Sequence, residues 1–195
     1  MANKESTFTN MLLTMVIVTA VAALALGGVY KATKAPIAKN QEKKTNAALQ
    51  KVLPEFDNKI TQDTKTLETD LGKEITLYKA KKDGELVGVA IESFSTKGYS
   101  GLVKIMVGFL PDGTIKNISV LQHAETPGLG DKMEKGKSEW SKQFNGKNPA
   151  EFNLSVSKDG GDVDAITAAT ISSRAYCDAV KRAYKAFKQE IKGGE

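Results

Sequence analysis

The chain has 195 residues, of which 41% are hydrophobic and 26% charged, and its formal net charge is +5. That composition supports one packed domain plus additional chain and excludes wholesale disorder. One cysteine and one histidine exclude an internal disulfide framework, a Cys-rich cluster and a multi-histidine zinc centre.

The mean hydropathy of −0.30 conceals a very apolar N-terminus. From Met11 to Val29 no residue is charged, and only Thr14 and Thr19 are polar. A run of this length matches a bilayer-crossing helix, and both threonines can bond back to helix carbonyls. Tyr30 and Lys31 suit the headgroup boundary, and Gly27 and Gly28 weaken the helix near that end. The competing reading is a cleaved leader, with Lys4 as its positive region and Ala23-Leu24-Ala25 as the cleavage site. The run is longer than a leader's apolar region, which favours a retained anchor. Lys31, Lys34, Lys39, Lys43 and Lys44 follow the segment, against Lys4 before it, and by charge alone they would keep the body in the cytoplasm.

Pro36 can open a second helix. Leu49, Val52, Leu53 and Phe56 fall on one helical face, and Pro54 ends it. A basic helical stalk is therefore expected over about 36–53, with loop or short edge elements over 58–73. From Ile75 the pattern turns to β. Ile75–Ala80 and Leu86–Ser93 flank Asp83-Gly84, a hairpin signal. After the Gly-bounded loop Lys97–Gly101, Leu102–Leu110 reads as a buried strand, and Thr114–Gln122 follows the Pro111-Asp112-Gly113 turn. Helices are expected over Asp131–Phe144 and Ser172–Ile191, the second with Val180, Ala183, Tyr184, Phe187 and Ile191 as its buried stripe. The expected fold is α+β: a largely antiparallel sheet with packed helices, preceded by one transmembrane helix and the stalk. The expected organisation is a flank over 1–10, the membrane helix over 11–30, the stalk over 31–60 and a folded domain over 61–195.

Two loops carry the chemical signal. In His123–Lys132, Pro127 fixes one dihedral while Gly128 and Gly130 permit unusual ones, exposing backbone N–H groups beside a helix start. In Asp162–Ser173, Thr170 can present its hydroxyl at a helix N-terminus, where dipole and free N–H groups favour phosphate. The small side chains of Ala168 and Ala169 leave room for a bulky group. The plainer reading makes Ser172 or Thr170 a helix cap.

Together the loops resemble the FMN-binding domain family, in which flavin is joined to a threonine by a phosphoester. That family includes the G subunit of Rnf ion-translocating electron-transport complexes and the C subunit of sodium-pumping NADH:quinone oxidoreductases. Its flavinylation pattern is Asp, two spacers, Ser or Thr, Gly or Ala, then Ala-Thr. Asp164-Ala165-Ile166-Thr167-Ala168-Ala169-Thr170 fits every position, and Glu125–Gly130 matches the family's Glu-Thr-Pro-Gly-Leu-Gly run. The resemblance covers nearly the whole chain, whose length is closer to the Rnf protein.

The resemblance implies that a separate flavin transferase attaches FMN to Thr170 from FAD. Asp164 would orient the loop or assist deprotonation of Thr170. Thr167, Ser172 and Ser173 would donate to phosphate or ribityl oxygens. Glu125, Thr126, Gly128, Leu129 and Gly130 would line the ring or ribityl chain. Many relatives carry Gly in place of Ala168; a positive φ there would strain Ala by about 1 kcal/mol or more. The resemblance further implies an electron-relaying subunit of an ion-translocating oxidoreductase, not catalytic alone. It would be single-pass in a bacterial inner membrane with its domain on the periplasmic face, partnered by other subunits, the transferase and lipid. The alternative is a membrane-anchored binding or scaffold module without a redox cofactor. A third reading is a flavoprotein reductase acting alone.

Other features point elsewhere only weakly. His123 reads as a structural polar residue and Cys177 as a packed one. Asp159, Asp162 and Asp164 lack EF-hand spacing, no nucleophile elbow is present, and the lysines of 181–192 read as a solvated helix face, without nucleic acid.

Overall fold

A computed structural model describes residues 7–62, 64–69, 72 and 74–192. Residues 1–44 and 45–195 form separate compact units. Helix α1 spans Phe8–Val52. Its N-terminal part is long and apolar enough to cross a membrane. Leu12, Leu13, Val16, Ile17 and Leu24 there are all exposed, as lipid-facing side chains would be. Thr14 and Thr19 donate to the Asn10 and Met15 carbonyls at 2.7 and 2.8 Å, so their hydroxyls are satisfied within the helix.

The expected apolar helix and basic stalk are both present, as one continuous helix. Pro36, read as the opening of a new helix, lies inside it. Pro36 removes one donor, that to the Ala32 carbonyl, and the helix runs on through good helix formers on either side. Nor do Gly27 and Gly28 interrupt it. It ends two residues before Pro54, as the rule that proline disfavours a preceding helical residue requires.

Five strands follow: β1 (Thr64–Glu68), β2 (Glu74–Lys82), β3 (Glu85–Gly98), β4 (Gly101–Phe109) and β5 (Ile115–Gln122). They form one antiparallel meander in chain order. Asp83 (φ 53°) and Gly84 (φ 85°) both occupy the left-handed region, the signature of a two-residue type I′ hairpin. β1 supplies the short edge element expected in the polar stretch. The long final helix, α2, spans Thr170–Lys192.

Side chains alternate across the sheet. Val89, Ile91, Val103, Ile105, Val107 and Phe109 face α2, joining Tyr176, Val180, Ala183 and Phe187 in the larger core. Tyr78, Ala80, Ala90, Met106 and Leu121 face the other way, onto Ala48, Leu49, Val52 and Leu53 at the end of α1. With both faces covered, β4 is buried almost throughout, which is why it reads as an apolar run broken only by Lys104. Ser93, fully buried, donates to the Ala179 carbonyl at 2.8 Å and pins α2 to β3.

The helix expected over Asp131–Phe144 is not formed. Two short 3-10 turns, Gly130–Met133 and Trp140–Phe144, stand in its place. Glu134 is already extended (ψ 135°). Ser138 then donates to the Lys132 carbonyl at 2.7 Å and accepts from the Trp140 N–H at 3.1 Å. A hydroxyl that satisfies both backbone groups competes with the helical ladder, and Gly136 further weakens it.

Candidate functional site

The two signal loops meet at the start of α2. Thr126-Pro127-Gly128-Leu129 is a tight turn closed by a bond from the Leu129 N–H to the Thr126 carbonyl (3.1 Å). Proline at its second position and Gly128 at φ 78° are what a type II turn demands. The next glycine serves packing instead. A Cβ at Gly130 would lie 2.6 Å from Ser172 Oγ and 2.7 Å from Glu125 Cβ, so only glycine lets the loop close on α2.

Glu125 is 5% exposed. Its Oε1 accepts from the Ser100 N–H at 3.0 Å, and its Oε2 accepts from the Ser172 hydroxyl. One carboxylate thus ties together the β3–β4 turn, the 123–130 loop and the first turn of α2. His123 supports it: the His123 Nδ1 accepts from the Glu125 N–H at 3.1 Å, leaving Nε2 to donate to Glu134 Oε1 at 2.8 Å. His123 is therefore a structural polar residue at a strand end.

These elements enclose a cleft of about 560 Å³, lined by Tyr99, Glu125, Thr126, Leu129, Gly130, Ala168, Ala169, Thr170, Ile171 and Ser172. That size falls among small-molecule sites. Thr170, half-buried, is the first residue of α2. A helix start leaves N–H groups without internal acceptors and carries positive partial charge, so the hydroxyl of Thr170 lies where a phosphate is favoured. Ala168 adopts φ 61°, the left-handed conformation in which alanine is strained.

Of the residues expected at the site, Glu125, Thr126, Leu129, Gly130, Ala168, Ala169, Thr170 and Ser172 line the cleft. Four lie outside its lining. Gly128 shapes the turn. The Asp164 side chain is exposed, and its backbone anchors the loop: the N–H donates to Gln143 Oε1 at 2.8 Å and the carbonyl accepts from Trp140 Nε1 at 2.5 Å. Thr167 is exposed. Ser173 is fully buried, accepting from the Ile166 N–H at 2.9 Å and donating to the Ala169 carbonyl at 3.0 Å. The hydroxyls of Ser172 and Ser173 are thus committed to protein partners, and the helix begins too early for Ser172 to be its cap. Sequence reasoning missed Tyr99 and Ile171. The signal for Tyr99 was available, a bulky aromatic in a two-residue turn between glycines.

Neighbouring charges are structural. Asp159 accepts from Arg174 Nε and Nη2, each at 2.7 Å, and the hydrogen bond from Arg174 holds its carboxyl below the usual range. Asp162 accepts from the Asn153 N–H at 2.7 Å. Burial pushes the Cys177 thiol up to about 12, leaving it a neutral packing group.

Residues 98–185 match the family model described as the FMN-binding domain, a span that contains every residue lining the cleft. The G subunit of the ion-translocating oxidoreductase complex of Aliivibrio fischeri (strain ATCC 700601 / ES114) is 38% identical over 185 residues, covering 88% of this chain and 88% of that protein. The corresponding G subunit from Erwinia tasmaniensis is 44% identical over 140 residues, covering 68% of this chain and 67% of the relative. The chain belongs to the family of G subunits of ion-translocating oxidoreductase complexes. In Shewanella piezotolerans the G subunit is 36% identical over 170 residues, 83% of this chain and 80% of that one. Such coverage extends the family likeness beyond the domain match into the N-terminal region, where α1 carries a segment consistent with a single-pass anchor.

Proposed function

We propose that this chain is the membrane-anchored flavoprotein subunit of an Rnf-type ion-translocating complex, carrying FMN on Thr170 through a phosphoester. The observation that carries the reading is the position of Thr170. This hydroxyl-bearing residue opens a long helix at the mouth of a cleft whose remaining walls are mostly apolar or small. The residues fit FMN by their chemistry: Leu129, Ile171 and Tyr99 suit a flat apolar ring system, and the helix start suits its phosphate.

Attachment forms one bond and breaks one. The Thr170 oxygen would attack the flavin-side phosphorus of FAD, the phosphoanhydride bond would break with AMP leaving, and the hydroxyl proton would pass to a base of the separate flavin transferase. Ala168 and Ala169 leave the hydroxyl approachable. Asp164 acts in the loop through its backbone anchorage to Trp140 and Gln143, and Thr167 sits exposed beside it, open to the transferase. When bound, the flavin would supply one- and two-electron chemistry, and Thr170 with the residues lining the cleft would hold it. A covalent tether removes dissociation, which suits a carrier outside the cytoplasm, where no FMN pool replenishes it.

We place the domain on the periplasmic face of a bacterial inner membrane, with α1 as a retained anchor. The lysines after the apolar segment oppose this by charge counting, but a long downstream domain translocates largely regardless of charge. The other subunits of the complex are its electron-transfer partners.

The test is co-production with a flavin transferase. Intact mass should show one added FMN, and the denatured band should fluoresce; Thr170→Ala should lose both. A wild-type chain left bare after such co-production overturns the reading.

A further inference from the structure

Within residues 45–195, the exposed large apolar side chains among the described residues are Tyr99 (71%), Leu129 (39%), Ile171 (47%) and Ile191 (37%). Tyr99, Leu129 and Ile171 line the one cleft that Thr170 opens onto. A domain that buries nearly all its other bulky apolar groups gains nothing for its fold by exposing these three together. Such convergence marks a place where an apolar surface is met by something else.

The backbone that carries Tyr99 is also closely constrained for a turn tip. β3 and β4 pair through Gly98 and Gly101, leaving only Tyr99 and Ser100 between them. Gly101 takes φ 95°, and a Cβ on Gly98 would fall 2.7 Å from Glu125 Oε1. The Ser100 N–H donates to that same oxygen at 3.0 Å, while Ser172, two residues beyond Thr170, donates to the other. The aromatic wall and the acceptor threonine are therefore set against each other through a single carboxylate. A tyrosine on a backbone fixed in this way offers a large contact area at low entropic cost.

We infer that Tyr99 is the aromatic contact of the isoalloxazine ring, a residue that tunes the flavin's electronic environment and is positioned for that task by Glu125. This rests on the reading of Thr170 as the FMN acceptor. An electron-rich phenol against the ring favours its oxidised, electron-poor form and quenches its emission.

The test uses the full-length chain in detergent, flavinylated by co-production, with wild type, Tyr99→Ala and Tyr99→Trp normalised to flavin content by intact mass. Tyr99→Ala should raise flavin emission severalfold, lengthen its lifetime and shift the reduction potential upward. Tyr99→Trp should restore quenching, which a purely structural role for the turn would not do. Flavin present in all three, with emission, lifetime and potential unchanged in Tyr99→Ala, overturns the inference and leaves the Thr170 assignment standing. A wild-type chain with no flavin mass overturns both.

Discussion

The Ser172 hydroxyl donates to Glu125 in a pair that is buried on both sides. It joins the first turn of α2 to a loop 47 residues earlier in the chain. Ser172→Ala would leave the Glu125 Oε2 without that donor in a site water scarcely reaches. Stranding a buried acceptor costs about 1–3 kcal/mol, more when it is charged. The expected outcome is a lowered denaturation midpoint with an unchanged denaturant slope, together with slower flavin attachment. An unaltered midpoint would mean that Ser172 contributes nothing as a tie.

Gly130 and Gly128 should respond differently to alanine. At Gly130 the new methyl would press on both members of the same pair, Ser172 Oγ at 2.6 Å and Glu125 Cβ at 2.7 Å. Overpacking of this kind costs about 1–3 kcal/mol and would push the loop off the cleft. At Gly128 the added methyl meets open space, and the cost is the left-handed backbone alone, about 1–2 kcal/mol. Both variants should be less stable by thermal melting, but only Gly130→Ala should also suppress the yield of flavin-modified chain.

Ala168 carries a non-glycine side chain at φ 61°. Ala168→Gly removes a left-handed strain of about 1–2 kcal/mol and adds unfolded-chain entropy worth about 0.4–1 kcal/mol. The balance runs from about zero to about 1.6 kcal/mol in favour of the variant. A raised melting temperature with flavin attachment retained is the expected result; a lowered one would show that the alanine methyl makes a packing contribution larger than the strain.

Much of the fold was legible because the periodicities are clean. Ile75, Leu77 and Tyr78 follow a strand-like apolar pattern, Asp83-Gly84 forces a tight hairpin, and Val180, Ala183 and Phe187 recur at helical spacing. The segment from Asp131 to Phe144 misled because Met133 and Phe144, buried in the core, and Trp140, partly buried against it, belong to two separate 3-10 turns. Their spacing mimics one helix, while the decisive group, the Ser138 hydroxyl, bonds locally to the Lys132 carbonyl and the Trp140 N–H, a side-chain competition with the backbone ladder that apolar spacing does not encode. The site divides the same way. Thr170, Ala168 and Glu125 were visible as members of local motifs. Tyr99 and Ile171 reach the cleft through the β3–β4 pairing and the start of α2, and the commitment of Ser172 to Glu125 depends on a contact between distant segments.

Glu190, near the end of α2, accepts charge-assisted contacts from Lys65 at 2.8 Å and Lys79 at 2.7 Å, and its side chain is only 8% exposed. The hydrogen bonds from Lys65 and then Lys79 hold its carboxyl below the ordinary glutamate range. A carboxyl depressed in the folded state binds its proton more readily once unfolded. Its contribution to stability is therefore present above the unfolded value of about 4.3 and is lost as pH falls through the lower folded value. Asp178 behaves alike. Burial pushes its carboxyl up, but hydrogen bonds from Lys97 and Ser95 and the charges of Lys97 and Arg182 outweigh burial and hold it low. Both ties fasten α2 to the sheet, Glu190 to β1 and β2, and Asp178 to β3. The domain should thus lose stability progressively below about pH 4.5. Glu190→Gln should be less stable than wild type at pH 7, and the difference between the two should shrink as pH is lowered toward about 3. Denaturation midpoints measured across that range check the point; a gap that stays constant with pH would mean the Glu190 charge is not what binds the edge strand to the helix.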